Sequence, residues 1–323
     1  MKIDGLLNVD KPEGMTSLDV VREIKARFGI KKAGHIGTLD PFATGVLPIV
    51  MNEGTKLVPF LEDDPKEYEA VMKMGEETST DDLTGEVVWR GSMEGVSPEI
   101  IRDIFVTFSG RIRQTPPMFS AVKVKGKPLY LLARKGIEIE RGEREVEIFD
   151  IEIQKIDLPR VRFRVSCSKG TYIRTLSRDI GKKIGCGAHL VFLRRTRSGP
   201  FTLKQAIALE KLRGLSGIEF LLSYLIPLKE ALSGLPEVIG DERMVKKVRY
   251  GKEMVVRDLN AQPLPAFEKG QWLRMSSPEN ELVAILKSEL KRGEIEKADP
   301  EKVVLRPIRI FNNEKRFPKE DHI

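Results

Sequence analysis

Gly34-His35-Ile36-Gly37-Thr38-Leu39-Asp40-Pro41-Phe42-Ala43-Thr44-Gly45-Val46-Leu47-Pro48 is the stretch on which the reading of the fold turns. It carries three glycines and one acidic residue. Glycine allows tight turns and close backbone approach to a ligand. A residue before proline is held out of the helical region, so Pro41 sets the direction in which the Asp40 carboxylate points. Two readings follow: a carboxylate presented to a ligand, or a plain surface turn with an Asp-Pro start. The residues behind the loop favour the first. Val46, Leu47, Ile49, Val50 and Met51 form an apolar run that reads as a buried strand, and a solvated turn needs no such run. The loop is expected to stand on a core.

Several chemistries are excluded by spacing. Neither G-x-x-x-x-G-K-[ST] nor a glycine triplet between a strand and a helix occurs, which argues against a nucleoside triphosphate site. The three histidines, His35, His189 and His322, do not cluster, and Cys167 and Cys186 are too far apart for a paired thiolate motif, so no metal is expected. Asp40 then remains as a lone base or nucleophile, in a reaction that needs no redox group.

The chain has 323 residues, comfortable for two domains. Its 55 Lys and Arg against 48 Asp and Glu give a net charge of +7, which favours a polyanionic partner, although many proteins carry such charge for solubility alone. Lys25, Arg27, Lys31 and Lys32 stand just before the glycine loop, where a polyanion would pass near Asp40. No apolar window of about 18 residues occurs, and the start lacks the apolar core of a signal peptide. Two cysteines make no disulfide framework, so a cytoplasmic protein with no membrane association is expected.

In chain order, Leu6 to Gly14 reads as a short buried strand ending in a turn, in which Lys11 is either a phosphate contact or a solvated turn residue. Thr16 or Ser17 caps a helix running to Phe28 and stopped by Gly29. Tyr68, Ala70, Met72 and Met74 alternate as one face of a strand, on which Tyr68 also reads as plain core. Thr78 to Gly85 is a polar turn, and Ser97-Pro98 starts a helix carrying Ile100, Ile101, Ile104, Phe105 and Phe108 towards Gly110. Arg111 to Arg144 is rich in Lys, Arg, Gly and Pro with Phe119 and Tyr130 interleaved. It reads as a mobile basic flap for stacking on unpaired bases, or as a solvated loop. Arg160 to Cys167 alternates arginine with apolar residues, and Tyr172 and Arg174 follow at a strand-to-helix junction. A buried arginine needs an acidic partner, and Asp40 is the candidate. His189 to Leu193 is an apolar run closed by the basic cluster Arg194-Arg195-Thr196-Arg197. After Leu235, short strands at Met254, Trp272, Leu282 and Val303 predict a small β-barrel or sandwich of about seventy residues.

Taken together, Asp10-Lys11-Pro12-Glu13-Gly14-Met15-Thr16-Ser17, Gly34 through Gly45, Lys66-Glu67-Tyr68, Thr78 to Gly85, Gln114 to Lys123 and Cys167 to Leu176 resemble the bacterial TruB-type tRNA pseudouridine synthases over nearly the whole length. The resemblance implies an α/β fold of the α+β kind: a mixed-sheet catalytic domain over 1–235 with an inserted RNA-gripping thumb at about 116–144. A β-rich PUA-type RNA-binding domain would follow over 236–311, with a polar tail at 312–323. It implies isomerisation of uridine 55 in the tRNA T loop after base flipping, without cofactor or metal. Asp40 would be the nucleophile, Arg174 its ion-pair partner and Tyr68 the stacking platform, while His35, Tyr172, Leu193, Lys11 and Lys123 would bind substrate. Arg174 would keep Asp40 ionised by lowering its pKa. The partner would be the T arm and loop of tRNA, met by a monomer with no obligate protein partner.

Other readings compete. A glycoside hydrolase would need a second carboxylate about 5 to 10 Å away, and none stands out. An RNA-binding or RNA-folding module would use the flap and C-terminal domain without Asp40, and one chain can do both. Protein-guided RNA modification enzymes sharing this core are disfavoured by the thumb-like insertion.

Overall fold

The computed structural model describes residues 3–120, 122–124, 126–133, 135–215, 217, 221–259 and 263–311; the tail expected at 312–323 lies outside the described residues. The apolar run behind the glycine loop is indeed a strand, β3 (Thr44–Met51), buried from Gly45 onward. It sits inside a mixed ten-stranded sheet. The order is β14 (Ile207–Ala208), β1 (Gly5–Lys11), β3, β12 (Ala188–Ser198), β4 (Lys66–Met74), β11 (Arg160–Cys167), β10 (Arg144–Asp157) and β7 (Gly110–Gln114). Short strands β2 (Ala33–His35) and β13 (Phe201–Thr202) add to β3 and β12. The pairs β3–β12 and β1–β14 are parallel and the rest antiparallel. Burial on both faces explains why β3 is apolar throughout, whereas β4, with one inward face, alternates.

Local chemistry sets the helices. In α1 (Ser17–Phe28) the Thr16 hydroxyl accepts from the Asp19 amide while the Asp19 carboxylate accepts from Thr16, and Gly29 ends the helix at φ 62°. The one-turn α2 (Val58–Leu61) follows β3, and α3 (Pro98–Val106) starts from a Ser97 cap. It ends a turn before Gly110, because Thr107 to Ser109 close as turns on Ile104, Phe105 and Val106. Strands β5 (Glu76–Thr78) and β6 (Val87–Arg90) form a separate hairpin around the Thr78–Gly85 turn.

The segment read as a flap or solvated loop has more structure than expected. It holds a hairpin of β8 (Lys123–Val124) and β9 (Lys127–Pro128) followed by α4 (Leu129–Ala133), whose Leu129 is fully buried. An apolar anchor within the basic stretch accounts for this. Helix α5 (Ile173–Ile184) turns its apolar face onto the sheet and stops at Gly185, φ 96°. Strand β12 does not end at the basic cluster but runs through it to Ser198. No helix among the described residues is long and apolar enough to cross a membrane.

Beyond α6 (Leu209–Arg213) and α7 (Leu228–Ala231), a second sheet forms in the order β15 (Glu237–Ile239), β17 (Trp272–Ser276), β18 (Leu282–Ser288), β19 (Val303–Ile310) and β16 (Met254–Val255). It packs its own core with α8 (Glu242–Arg249), an amphipathic helix that burial of Met244, Val245 and Val248 holds in place and that the strand-only reading of this region missed. A further apolar cluster joins the two sheets: Leu6, Val46 and Val50 of the large one, with Ile36 and Leu57 beside it, bury together with Leu282 and Ile285 of the small one and Phe311 just past it.

Candidate active site

Asp40 lies in the loop between β2 and β3, and Arg174 in the first turn of α5, 134 residues away in sequence, meets it there. Nη2 of Arg174 donates to Oδ1 of Asp40 at 3.1 Å, and Nε lies 2.8 Å from Oδ2, a close ion-pair contact without hydrogen-bond alignment. The pairing predicted for a buried arginine is present: Arg174 is almost wholly enclosed, while 31% of the Asp40 side-chain surface stays open. An enclosed cation facing a partly open carboxylate leaves the acid as the accessible member of the pair.

Arg174 does more than pair with Asp40. Nη1 donates to the Thr80 carbonyl at 3.0 Å and lies 3.5 Å from Oδ2 of Asp82, and Nη2 donates to the Phe119 carbonyl at 2.8 Å. Three segments meet on one guanidinium, which is planar and presents its donors in fixed directions. Asp82, buried in the Thr78–Gly85 turn, accepts on Oδ1 from the Thr80 hydroxyl and from the amide and hydroxyl of Thr84. Its position is therefore set before Arg174 arrives.

The loop itself is held on several sides. Leu39 donates its amide to the Ser17 hydroxyl at 2.9 Å, and Gly14 donates its amide to the Pro41 carbonyl at 2.8 Å. Lys11, read as a phosphate contact or solvated turn residue, is fully buried; its ammonium donates to the carbonyls of Pro12 at 2.8 Å and Pro41 at 3.1 Å. A lysine at the end of an interior strand cannot be solvated, and here it stitches the loop to β1. Burial pushes its pKa down to about 8, against the pull of Asp40. Arg195, also buried, donates from Nε to the Val46 carbonyl at 2.6 Å and from Nη2 to the Gly37 carbonyl at 3.0 Å. Gly45, at φ 101°, must be glycine, because a Cβ there would lie 2.2 Å from the Arg195 carbonyl.

Tyr68 stands on the inward face of β4, directly across from Arg195 on β12. Burial raises its pKa, and the charges of Arg195 and Asp40 both reach it. Leu193, two residues before Arg195 on the same face of β12, is opposite Ala70. Tyr172 precedes α5, its amide donating to Oε1 of Gln114 at 3.1 Å while Nε2 of Gln114 donates to its carbonyl at 3.3 Å. Its ring lies within electrostatic reach of Arg174 and Asp40. His35, on β2, has its pKa lowered by burial and by Arg195, and Nδ1 is buried without a hydrogen-bond partner. Lys123 is carried by the hairpin β8–β9; the point at which that segment meets Arg174 is the Phe119 carbonyl.

The electrostatics correct one expectation. Burial pushes the Asp40 carboxyl above the ordinary aspartate range, the pull of Arg174 falls short of cancelling this, and Asp82 adds to the rise. Three contributors were missed in the sequence. Asp82 was legible as an Asp followed two residues later by Thr, an Asx-turn pattern. Arg195 was legible only once β12 is known to continue, since period-two alternation from Leu193 turns it inward. Gln114 carried no local signal.

Against known proteins, residues 25–173 match the family described as TruB family pseudouridylate synthase, N-terminal domain, and residues 174–233 match the tRNA pseudouridylate synthase B C-terminal domain. A protein of Syntrophus aciditrophicus named tRNA pseudouridine synthase B is 42% identical over 96% of this chain and 99% of its own. One of the same name from Geobacter sulfurreducens is 48% identical over 77% of this chain and 82% of its own. Among solved structures, an H/ACA RNP bound to a substrate RNA containing 2′-deoxyuridine matches with TM-score 0.74 and 28% identity, covering 98% of this chain and 87% of that one. A Cbf5-Nop10-Gar1 complex matches with TM-score 0.72 and 31% identity, covering 95% and 84%. With the two family matches meeting at the residue pair 173–174, where Arg174 reaches Asp40, and a relative alike along nearly its entire length, the chain belongs to the TruB family of pseudouridylate synthases.

Proposed function

We propose that this chain is a tRNA pseudouridine synthase that isomerises uridine 55 of the T loop, with Asp40 as nucleophile. The observation that carries the reading is the Arg174–Asp40 pair, with the acid partly open and the cation enclosed. Pseudouridine formation breaks the bond between the sugar and a base nitrogen, turns the base, and rejoins it through carbon. It needs an ionised carboxylate in an enclosed pocket and no redox group. Arg174 favours the ionised form of Asp40, and Tyr68 supplies an aromatic surface for a base taken out of its stack. The base is flipped from the loop at a cost of a few kcal/mol, offset by stacking and phosphate contacts. His35, Tyr172 and Leu193 line the approach, and the segment 116–144 with Lys123 grips the T arm. The catalytic unit spans 1–235 and the second RNA-binding unit 236–311, acting as a monomer in the cytoplasm.

Asp40→Asn tests this reading. The near-isosteric amide removes the nucleophile and leaves the binding surface, so conversion in a T-loop transcript should vanish while RNA affinity stays within several-fold. Measurable turnover by the variant overturns the assignment.

A further inference from the structure

Ile36 and Val46 flank the Asp40 loop, four residues before and six residues after the acid. Each faces two ways. The Val46 carbonyl accepts from Arg195 at 2.6 Å and the Ile36 carbonyl lies 3.5 Å from Nη2 of the same side chain. Their side chains, both essentially inaccessible, enter the apolar cluster that joins the sheets, together with Leu282 and Ile285 of β18 and Phe311 just past β19. The carbonyls at the stems of the loop are thus held by Arg195, and the side chains there belong to the same buried cluster as Leu282, Ile285 and Phe311.

The seam is built like a permanent interface, apolar at its centre and polar at its rim. Lys56 donates to the Ile310 carbonyl at 2.8 Å, pairs with Glu53 at 2.6 Å, and lies 5.6 Å from the centre of the Phe311 ring. Phe60 meets Trp272 edge to face with ring centres 4.9 Å apart. Arg274 donates to the Lys229 carbonyl at 2.9 Å and to Glu237 at 3.1 Å. Units joined by small polar contacts move freely; an apolar joint of this kind does not.

We propose that the C-terminal sheet is a positioning element of the reaction site, bracing the stems of the Asp40 loop through Phe311, Leu282 and Ile285, in addition to any contact it makes with RNA. The proposal rests on the reading of Asp40 as the reacting group. Removing the brace opens a void in the cluster that holds Ile36 and Val46, and the loop relaxes toward it. Reacting groups tolerate little displacement, about 1 Å being enough to cost on the order of 100-fold in rate. RNA-facing residues are untouched, so the loss should fall on the chemical step.

The test compares Phe311→Ala with Leu273→Ala, a truncation of an equally buried residue whose side chain belongs to the small sheet's own core and not to the shared cluster. Both full-length variants are studied at a temperature where circular dichroism shows them folded. Single-turnover rates at saturating T-arm transcript, transcript affinity and hydrogen exchange of residues 36–46 without RNA are measured. Phe311→Ala should react about tenfold or more slowly with affinity within threefold and with faster exchange across the loop. Leu273→Ala should match the wild type in rate and loop exchange. A Phe311→Ala enzyme of normal rate, one that loses only affinity, or equal slowing in both variants overturns the proposal. The exchange readout does not depend on what Asp40 does, so if Asp40→Asn stays active while Phe311→Ala loosens the loop, it is the reading of Asp40 that fails and not the brace.

Discussion

Arg174 cannot be exchanged for another cation. Its guanidinium serves Asp40, Thr80 and Phe119 in divergent directions and lies beside Asp82, and an ammonium on a shorter reach satisfies at most part of that set. Arg174→Lys should lower the single-turnover rate by about 100-fold, with a smaller effect on RNA affinity. Near-normal turnover would separate Arg174 from the chemistry. Asp40 allows a stability experiment as well. Burial raises its pKa in the folded state, so the unfolded chain ionises first as pH rises, and folding stability is lost through the interval between the two values. Asparagine carries no such penalty. Asp40→Asn should therefore melt above the wild type at pH 7, and the gap should close as pH falls below the unfolded aspartate's pKa. A variant that melts lower at pH 7 would mean that the ion pair with Arg174 outweighs the burial. The pair was legible in the sequence because a buried arginine and a proline-directed carboxylate each demand a partner. The net direction of the Asp40 shift was not, since it depends on how much protein surrounds the acid, and that is set by segments far apart in the chain.

Period and capping carried the elements well: the Thr16 box, the Gly29 and Gly185 stops and the alternation of β4 are all local chemistry. They failed where a charged residue is buried. Arg195 looked like part of the end of an apolar run, and Lys11 like a turn, because local pattern has no means of showing that backbone carbonyls will converge on them. Gly45 is the tightest point of this arrangement, and Gly45→Ala combines a strained φ with a backbone clash. It should cost more than about 2 kcal/mol in urea unfolding, whereas Gly142→Ala, with open space around it, should stay within about 0.5 kcal/mol. Equal effects would show that the close approach of β3 and β12 is adjustable. In the basic segment, removing 123–136 and bridging the gap should weaken tRNA binding and flatten its salt dependence by about 0.7 to 0.9 per lost phosphate contact. An unchanged slope would mean that the hairpin and α4 do not touch the backbone of the RNA.

For the molecule as a whole, a β-rich C-terminal unit could be read from strand patterning and the mixed sheet was implied by the family resemblance, but their joint could be read from neither. Leu6 and Val46 read as strand residues of one unit and Leu282 as a strand residue of the other; only the packed chain shows that they share a cluster with Ile36, Ile285 and Phe311. Contacts between units have no sequence period, since either partner is satisfied by any apolar surface. The same holds for the meeting of Phe119, Thr80 and Asp40 on Arg174, which no spacing encodes. That meeting ties two distant backbones to one nitrogen: Nη2 of Arg174 holds both the Phe119 carbonyl and the Asp40 carboxylate, so any displacement of the Phe119 backbone is passed on as a change in the aim of the acid.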